Sequence, residues 1–336
     1  MRFFIFLTSL LTGCLIINVF NYQNDYFPLE EKVEYFRRHK DDYNVLFIGN
    51  SMVLRHLIPK DFDQYVSGEG VPVKSYNLGF SGANFYEIKD TLQRIKKMKP
   101  AHLKWVFLEM SFNKGLYYKN GEVRNWHLYR IKNILKSFVY FQSSARSESL
   151  GQKVIMMIYH FKMFLLKYSN HGLLSLYIRK EMEFPGDFNY LSEAQGFIAA
   201  DQRKIHIGEK DRELEFHGEE SVYLKDSENK IYESKLSYAD WVIIHELVES
   251  VHEIGAVPIV FESPTAFKQS RYLKADDADG HVFWLESYQN FEKYPEFFDV
   301  THRYDQSHLR ESGARIFTRV VARDFLKLTK ETGQTV

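Results

Sequence analysis

The sequence predicts an α/β fold: a parallel sheet with helices on both faces and a long, mostly helical insertion. Three observations predict it. Short apolar runs of strand length recur at Val45-Leu46-Phe47-Ile48, Val71 to Leu78, Trp105-Val106-Phe107-Leu108 and Val257-Pro258-Ile259-Val260-Phe261. Between the second and third runs, Phe85, Ile88, Leu92, Ile95 and Met98 keep helical spacing until Pro100 stops them. Strand and helix therefore alternate from Asn44 to Asn113 and again from Ser237 onward, and such alternation builds a parallel sheet.

The first 20 residues carry Arg2 and then no charge from Phe3 to Phe20. A segment apolar all round reads as an export signal or a membrane anchor rather than a buried helix. Leu11-Thr12-Gly13-Cys14 is similar to a bacterial lipobox, in which Cys14 would be acylated. Leu15-Ile16-Ile17, however, is more apolar than the start of a mature lipoprotein, and about 18 apolar residues just span a bilayer core. The favoured reading is an uncleaved anchor at residues 1–20. Every export reading places the remaining chain outside the cytoplasm, in a bacterial cell envelope. Residues 21–42, rich in Tyr, Asp, Glu and Lys, read as a polar stalk or short helix leading to a domain assembled from 43–114 and 237–330.

After Ile48, Gly49-Asn50-Ser51 marks a sharp turn. A serine there either caps the next helix or presents a hydroxyl at the carboxyl end of a strand, where open α/β sheets bind their ligands. The second strand runs into Gly79-Phe80-Ser81-Gly82 and the third into Glu109-Met110-Ser111-Phe112-Asn113. Residues 115–236 then interrupt the pattern. This insertion holds an apolar helix from Val154 to Leu166 and a hairpin pairing Ser221-Val222-Tyr223-Leu224 with Lys230-Ile231-Tyr232. The apolar helix reads as core, or alternatively as a lid facing a membrane or an acyl chain. A helix from Ser237 to Ile254 follows, with Trp241, Ile244, Val248 and Val251 on one face and Gly255 closing it. Residues 265–296 read as a loop, Phe297-Phe298-Asp299-Val300 as a last short strand, and Ala314, Phe317, Val320 and Val321 as the inner face of the final helix.

Composition narrows the function classes. The 336 residues, 45% hydrophobic and 26% charged, suit a folded chain with a large core. Lys+Arg and Asp+Glu balance at 44 each, which offers no footprint for a nucleic-acid partner. The 28 Phe and 22 Tyr fit a large core or a sugar- or lipid-facing groove. Cys14 is the only cysteine, so the body of the chain has no disulfide, cysteine-ligated zinc or thiol nucleophile. The histidines lack metal-ligand spacing such as His-Glu-x-x-His, and neither a metal nor another cofactor is expected.

Acyl transfer by a serine needs a base for its proton, an acid to orient that base, and donors for the developing oxyanion. Ser51 is the candidate nucleophile. Asp305-Gln306-Ser307-His308 sets a carboxylate and an imidazole three residues apart, close enough for a tight turn to bring both to one edge. Gly82 can expose its backbone N–H, Asn113 offers an amide, and Ser51 offers its own N–H. Ser111 is the alternative to Asn113 as the residue pointing into the site. His56 reads as a surface or core histidine, and His302 as a competitor to His308.

These residues, in this order, resemble the SGNH (GDSL-like) hydrolase superfamily over about 44–113 and 237–325, leaving the insertion uncovered. The resemblance implies a three-layer, flavodoxin-like sheet with Ser51 as nucleophile, His308 as base and Asp305 orienting the imidazole. It also implies an oxyanion hole made by the N–H groups of Ser51 and Gly82 and the Asn113 amide. Two motifs depart from the family pattern: Asn50 stands where the family has Asp, and Phe112-Asn113-Lys114 replaces Gly-Asn-Asp. The last motif, Asp305 to His308, is intact.

The resulting expectation is a membrane-tethered, extracytoplasmic serine esterase or O-acyltransferase. Its substrate would be a cell-envelope or exopolysaccharide carbohydrate bearing O-acyl groups such as acetyl, or another small ester. The alternatives are a lipid esterase or thioesterase, with the insertion covering an acyl chain, and a non-catalytic envelope binding or assembly protein. Asn50 and Phe112-Asn113-Lys114 are the features that favour the last.

Overall fold

Side chains along the buried strands alternate between two faces, and that alternation divides the core in two. The structure, a computed structural model, describes residues 27–110, 131–136, 150–168, 190–200, 232–235, 238–265, 271–274, 283–290 and 293–332, with short stretches of the first 13. In chain order these form α1 (Phe27–His39), β1 (Val45–Ile48), α2 (Ser51–His56), α3 (Pro59–Gly68), β2 (Ser75–Asn77), α4 (Phe85–Met98) and β3 (Trp105–Glu109). There follow α5 (Leu150–Tyr168), β4 (Tyr232–Lys235), α6 (Tyr238–His252), β5 (Val257–Glu262), β6 (Arg271–Lys274), β7 (Phe283–Ser287) and α7 (Glu311–Thr332).

The main sheet has five parallel strands in the order β2-β1-β3-β5-β7. Val45, Phe47, Trp105, Phe107, Ile259 and Phe261 face the side covered by α3 and α7, where Phe62, Val66, Phe317 and Phe325 meet them. Leu46, Ile48, Val106, Leu108 and Val260 face the other side, under α1, α4 and α6. The period of two along each strand produces this sorting. Phe107 anchors the first half, with ring centroids 5.1 Å from Phe47, 5.6 Å from Phe62 and 5.5 Å from Phe325. Counted within the sheet, the order is 2-1-3-4-5. The chain reverses its direction of growth between β1 and β3, and the carboxyl ends of the strands at such a reversal are where open α/β sheets bind their ligands.

α4 starts and stops where the sequence indicates. Asn84 and Glu87 form a reciprocal capping box, and Lys99 adopts a left-handed φ of 50° just before Pro100. Gly255, at φ 89°, closes the turn after α6.

Several expectations need correction. Of the two readings of residues 21–42, a stalk or a short helix, the helix is present at 27–39 and is no mere lead-in: α1 buries Leu29, Val33 and Phe36 in the core, and Glu30 is clasped by Arg94 of α4 through bonds of 2.5 and 2.6 Å. The fifth strand lies at Phe283–Ser287, inside the stretch read as a loop. It is an edge strand joined to β5 across a register shift between Val260 and Glu262, so its short, mixed composition carries little periodic signal. Phe297–Val300 forms no strand. Two 3-10 turns, Pro295–Phe297 and Val300–His302, place Phe297 and Phe298 in the core, which accounts for the apolar run. Tyr232 begins β4, whose partner is the parallel strand β6. The expected first arm of the hairpin, Ser221–Leu224, lies outside the described residues. Ile244, Val248 and Val251 of α6 are buried as expected, whereas Trp241 is about half exposed at 49%. Among the described residues no helix is long and apolar enough to cross a membrane, and most of residues 1–20 lies outside them.

If α1 belongs to the core, Phe36→Ala lowers the unfolding free energy by about 3–5 kcal/mol, the cost of emptying an aromatic site. Urea unfolding measures it, and a change within about 0.5 kcal/mol, typical of a surface position, would restore the stalk reading.

Candidate active site

β1 delivers the chain to the turn that carries Ser51. Gly49 is required there, because a Cβ would lie 2.4 Å from Val53 Cγ2 and 2.9 Å from Glu109 Cβ. Asn50 caps α2, its Oδ1 accepting the Met52 N–H at 2.8 Å. The cap is therefore Asn50 and not Ser51. Asn caps a helix about as well as Asp, so the departure at this position leaves the turn intact. Ser51 becomes the first helical residue, and its hydroxyl is left to face His308.

His308 Nε2 lies 2.8 Å from Ser51 Oγ, and its Nδ1 lies 2.9 and 3.0 Å from the two oxygens of Asp305. The carboxylate accepts only, so Nδ1 carries the hydrogen and Nε2 of the neutral ring accepts from the Ser51 O–H. Burial alone would raise the Asp305 carboxyl. The His308 ring and the N–H groups of Ser307 and His308, at 2.7 and 2.8 Å, outweigh it and hold the acid well below the usual carboxylate range. Burial pushes the His308 imidazole below its ordinary 6.5; Asp305 opposes this, and Arg55 and Arg303 add to it. At neutral pH the pair is thus a carboxylate beside an uncharged imidazole.

The loop bearing Asp305 and His308 is shaped by a buried guanidinium. Arg303 donates from Nη1 to the Phe297 carbonyl at 2.8 Å, from Nη2 to the Gln306 carbonyl at 2.7 Å and from Nε to the Asp305 carbonyl at 3.2 Å. Burial lowers Arg303 to about 10, against the pull of Asp305, so it keeps its charge at neutral pH. The Tyr304 N–H donates to the His308 carbonyl at 2.9 Å, and a bridge joins Arg303 to Leu309. A backbone template of this kind needs several donors in a fixed plane, which lysine does not provide.

α2 is held from three sides. The fully buried His56 accepts the Leu309 N–H at Nε2, 3.1 Å away, and burial keeps its ring uncharged. Thr318 of α7 donates to the His56 carbonyl at 3.1 Å and accepts the Ile58 N–H at 3.0 Å. Asn77, at the end of β2, donates to the carbonyls of Val53 and Leu57 at 2.7 and 2.8 Å. Ser51 and His56 open and close the same short helix, so the clamp on one fixes the other.

Gly82 adopts φ 67°, a left-handed conformation that suits glycine, in the loop after β2. The Phe80 N–H donates to the Gly49 carbonyl at 3.2 Å, tying that loop to the turn before Ser51. Behind it, buried Lys32 of α1 donates to the Gly79 carbonyl at 2.5 Å, with its amine pushed well down by burial. Asn113 and Ser111 lie outside the described residues. His302 turns away from Ser51, its Nδ1 3.1 Å from Ser312 Oγ, and so does not compete with His308. Among the described residues no cluster of His, Cys, Asp or Glu could hold a metal ion.

Sequence reasoning does not single out Arg303, Lys32 or Thr318. The position of Arg303, two residues before Asp305, is the one available signal, but a charge in a loop reads as solvated until the fold is known. His56→Leu leaves the buried Leu309 N–H without its acceptor, so it should cost about 1–3 kcal/mol of stability. Arg303→Met should cost about 3 kcal/mol or more, because three carbonyls lose a charged donor. Thermal unfolding of both variants checks this, and wild-type midpoints would remove the template and clamp roles. No family model matches the chain, and no curated protein matches it either.

Proposed function

We propose that this chain is a serine esterase or O-acyltransferase of the SGNH, flavodoxin-like type, working through an acyl-enzyme. The observation that carries this reading is the unbroken hydrogen-bonded line from the Asp305 carboxylate through His308 to Ser51 Oγ. It lies at the carboxyl end of β1, where the strand order reverses.

In the proposed reaction, Ser51 Oγ bonds to the ester carbonyl carbon while its proton passes to His308 Nε2. The imidazolium is stabilised by Asp305, which itself stays ionised. The ester carbonyl becomes an oxyanion, for which the N–H groups of Ser51 and Gly82 and the Asn113 amide are the proposed donors. Collapse breaks the ester C–O bond, and the leaving alkoxide takes the proton from His308. Water or a sugar hydroxyl then gives its proton to His308 and attacks the acyl carbon; the bond from that carbon to Ser51 Oγ breaks, and His308 returns the proton to Ser51. Attack by water is hydrolysis; attack by a sugar hydroxyl is transfer.

The uncharged segment Phe3–Phe20 supports an extracytoplasmic site, tethered to a membrane. That location favours O-acylated envelope or extracellular carbohydrate as the substrate. Asn50 gives the non-catalytic reading no support, since it does the capping work of an Asp.

Turnover of an activated acetyl ester should fall by at least about 10³-fold in Ser51→Ala and His308→Ala, since either change removes the nucleophile–base unit. Equal turnover in wild type and both variants would sink the mechanism. A polysaccharide acceptor added to the same assay, followed by mass spectrometry of the sugar, separates transfer from hydrolysis.

The pH dependence has a definite sign. His308 must be uncharged to accept the serine proton, so activity is present above its pKa and lost as pH falls through it. With the imidazole depressed by burial, the acid limb should lie below pH 6.5. A limb above that value would contradict the site's electrostatics.

A further inference from the structure

The layer containing α1, α4, α5 and α6 has an outer surface unlike the rest of the domain. α5 buries His160 and Met163, with Tyr159 and Phe164 packed against the same core. Its opposite side exposes Val154, Ile158, Phe161 and Leu165, spaced i, i+4, i+7 and i+11 so that they form one stripe, with Ile155 exposed beside it. Ile158 is 63% exposed and Phe161 61%. Next to this core, Ile131 and Leu135 expose 64% and 59% while Ile134 between them is buried. Trp241 of α6, which sequence periodicity places inward, is half exposed on the same layer. Among the described residues, every exposed large apolar side chain except Tyr65 belongs either to this layer or to the first six residues.

A helix bathed only in water carries polar side chains on its outer face, and a contiguous apolar patch marks an interaction surface. The charges indicate the partner. The α5 sequence contains Lys153, Lys162 and Lys167 and neither Asp nor Glu. Residues 131–136 add Lys132 and Lys136, again without an acid, although Lys136 pairs with Glu246 of α6. An apolar stripe on a basic helix suits the interface of a bilayer with anionic headgroups. Chain length points the same way. Only residues 21–26 separate the uncharged run ending at Phe20 from α1, which packs in this layer. Fully extended, that link reaches about 25 Å, so a membrane-inserted segment would keep this layer close to the bilayer.

We infer that the outer surface of this layer is a membrane-binding face, with α5 lying along an anionic bilayer and its Val154–Leu165 stripe in the headgroup region. This goes beyond the proposed ester chemistry and does not depend on it. It also assigns part of the insertion a role: holding the domain in a set orientation on the membrane rather than free on a tether.

The test uses the full chain in a Cys14→Ser background, with an environment-sensitive fluorophore on Ile158→Cys, Phe161→Cys or, as control, Tyr65→Cys. Each protein is reconstituted into phosphatidylcholine–phosphatidylglycerol vesicles. The labels at 158 and 161 should shift to the blue and be quenched several-fold more by doxyl lipids than the label at 65. Lys132→Glu with Lys162→Glu should reduce that quenching. Equal iodide access at 158, 161 and 65 would overturn the inference, as would failure of the chain to float with the vesicles. Protection of the 158 label from both iodide and doxyl lipid would put a second copy or another protein on the stripe, and overturns it too.

Discussion

The bond from the Leu309 N–H to the buried His56 ring fastens together two segments more than 250 residues apart in the chain. One is the short helix that opens with Ser51; the other is the loop that ends with His308. Each half is already stiff, α2 through Asn77 and Thr318, and the loop through the Arg303 guanidinium. His56 joins two rigid parts, and so it can fix the Ser51–His308 distance without bonding to either side chain. Burial is what suits it to this role, because an uncharged ring presents a nitrogen lone pair, whereas an imidazolium could only donate.

Electrostatics then divide three neighbouring groups by environment. Asp305 is surrounded by donors and keeps its charge, His308 is desolvated and neutral, and Arg303 is buried yet remains cationic because its hydrogens meet carbonyl oxygens. These states are the ones that the proposed acyl transfer requires at its first step. The same low-polarity surroundings that lower His308 also strengthen its bond to Asp305. Burial and orientation therefore act on the same pair of residues.

How far the chain can be read varies with the kind of signal. Strands covered on both faces announce themselves, and Val45–Ile48, Trp105–Glu109 and Val257–Glu262 lie where their apolar runs indicate. The edge strand Phe283–Ser287 does not, since a shifted register and one neighbour leave little pattern. Phe297 and Phe298 mislead for the opposite reason: aromatic residues are buried by a 3-10 turn as readily as by a strand. α1 resembles a stalk because its charges, among them Glu30, Glu31 and Lys32, outnumber its apolar residues per turn. Three of those charges are tied to partners far along the chain, Glu30 to Arg94, Glu31 to Tyr190 and Lys32 to Gly79, which composition cannot reveal.

Local pattern is enough to place the sheet's three central strands and the main helices, and to say which serine, histidine and aspartate could act together. Periodicity and short spacing are local properties: a period of two for strands, near 3.6 for helices, three residues between Asp305 and His308. Other outcomes wait on the folded chain: that Asn50 and not Ser51 caps α2, that His308 and not His302 reaches the hydroxyl, and that Arg303 and Lys32 are buried supports. The Asn50 cap is a bond to Met52 two residues on, one of two adjacent choices that the sequence leaves open; the others depend on burial and contacts set by the packing of whole elements, and those have no local periodic trace.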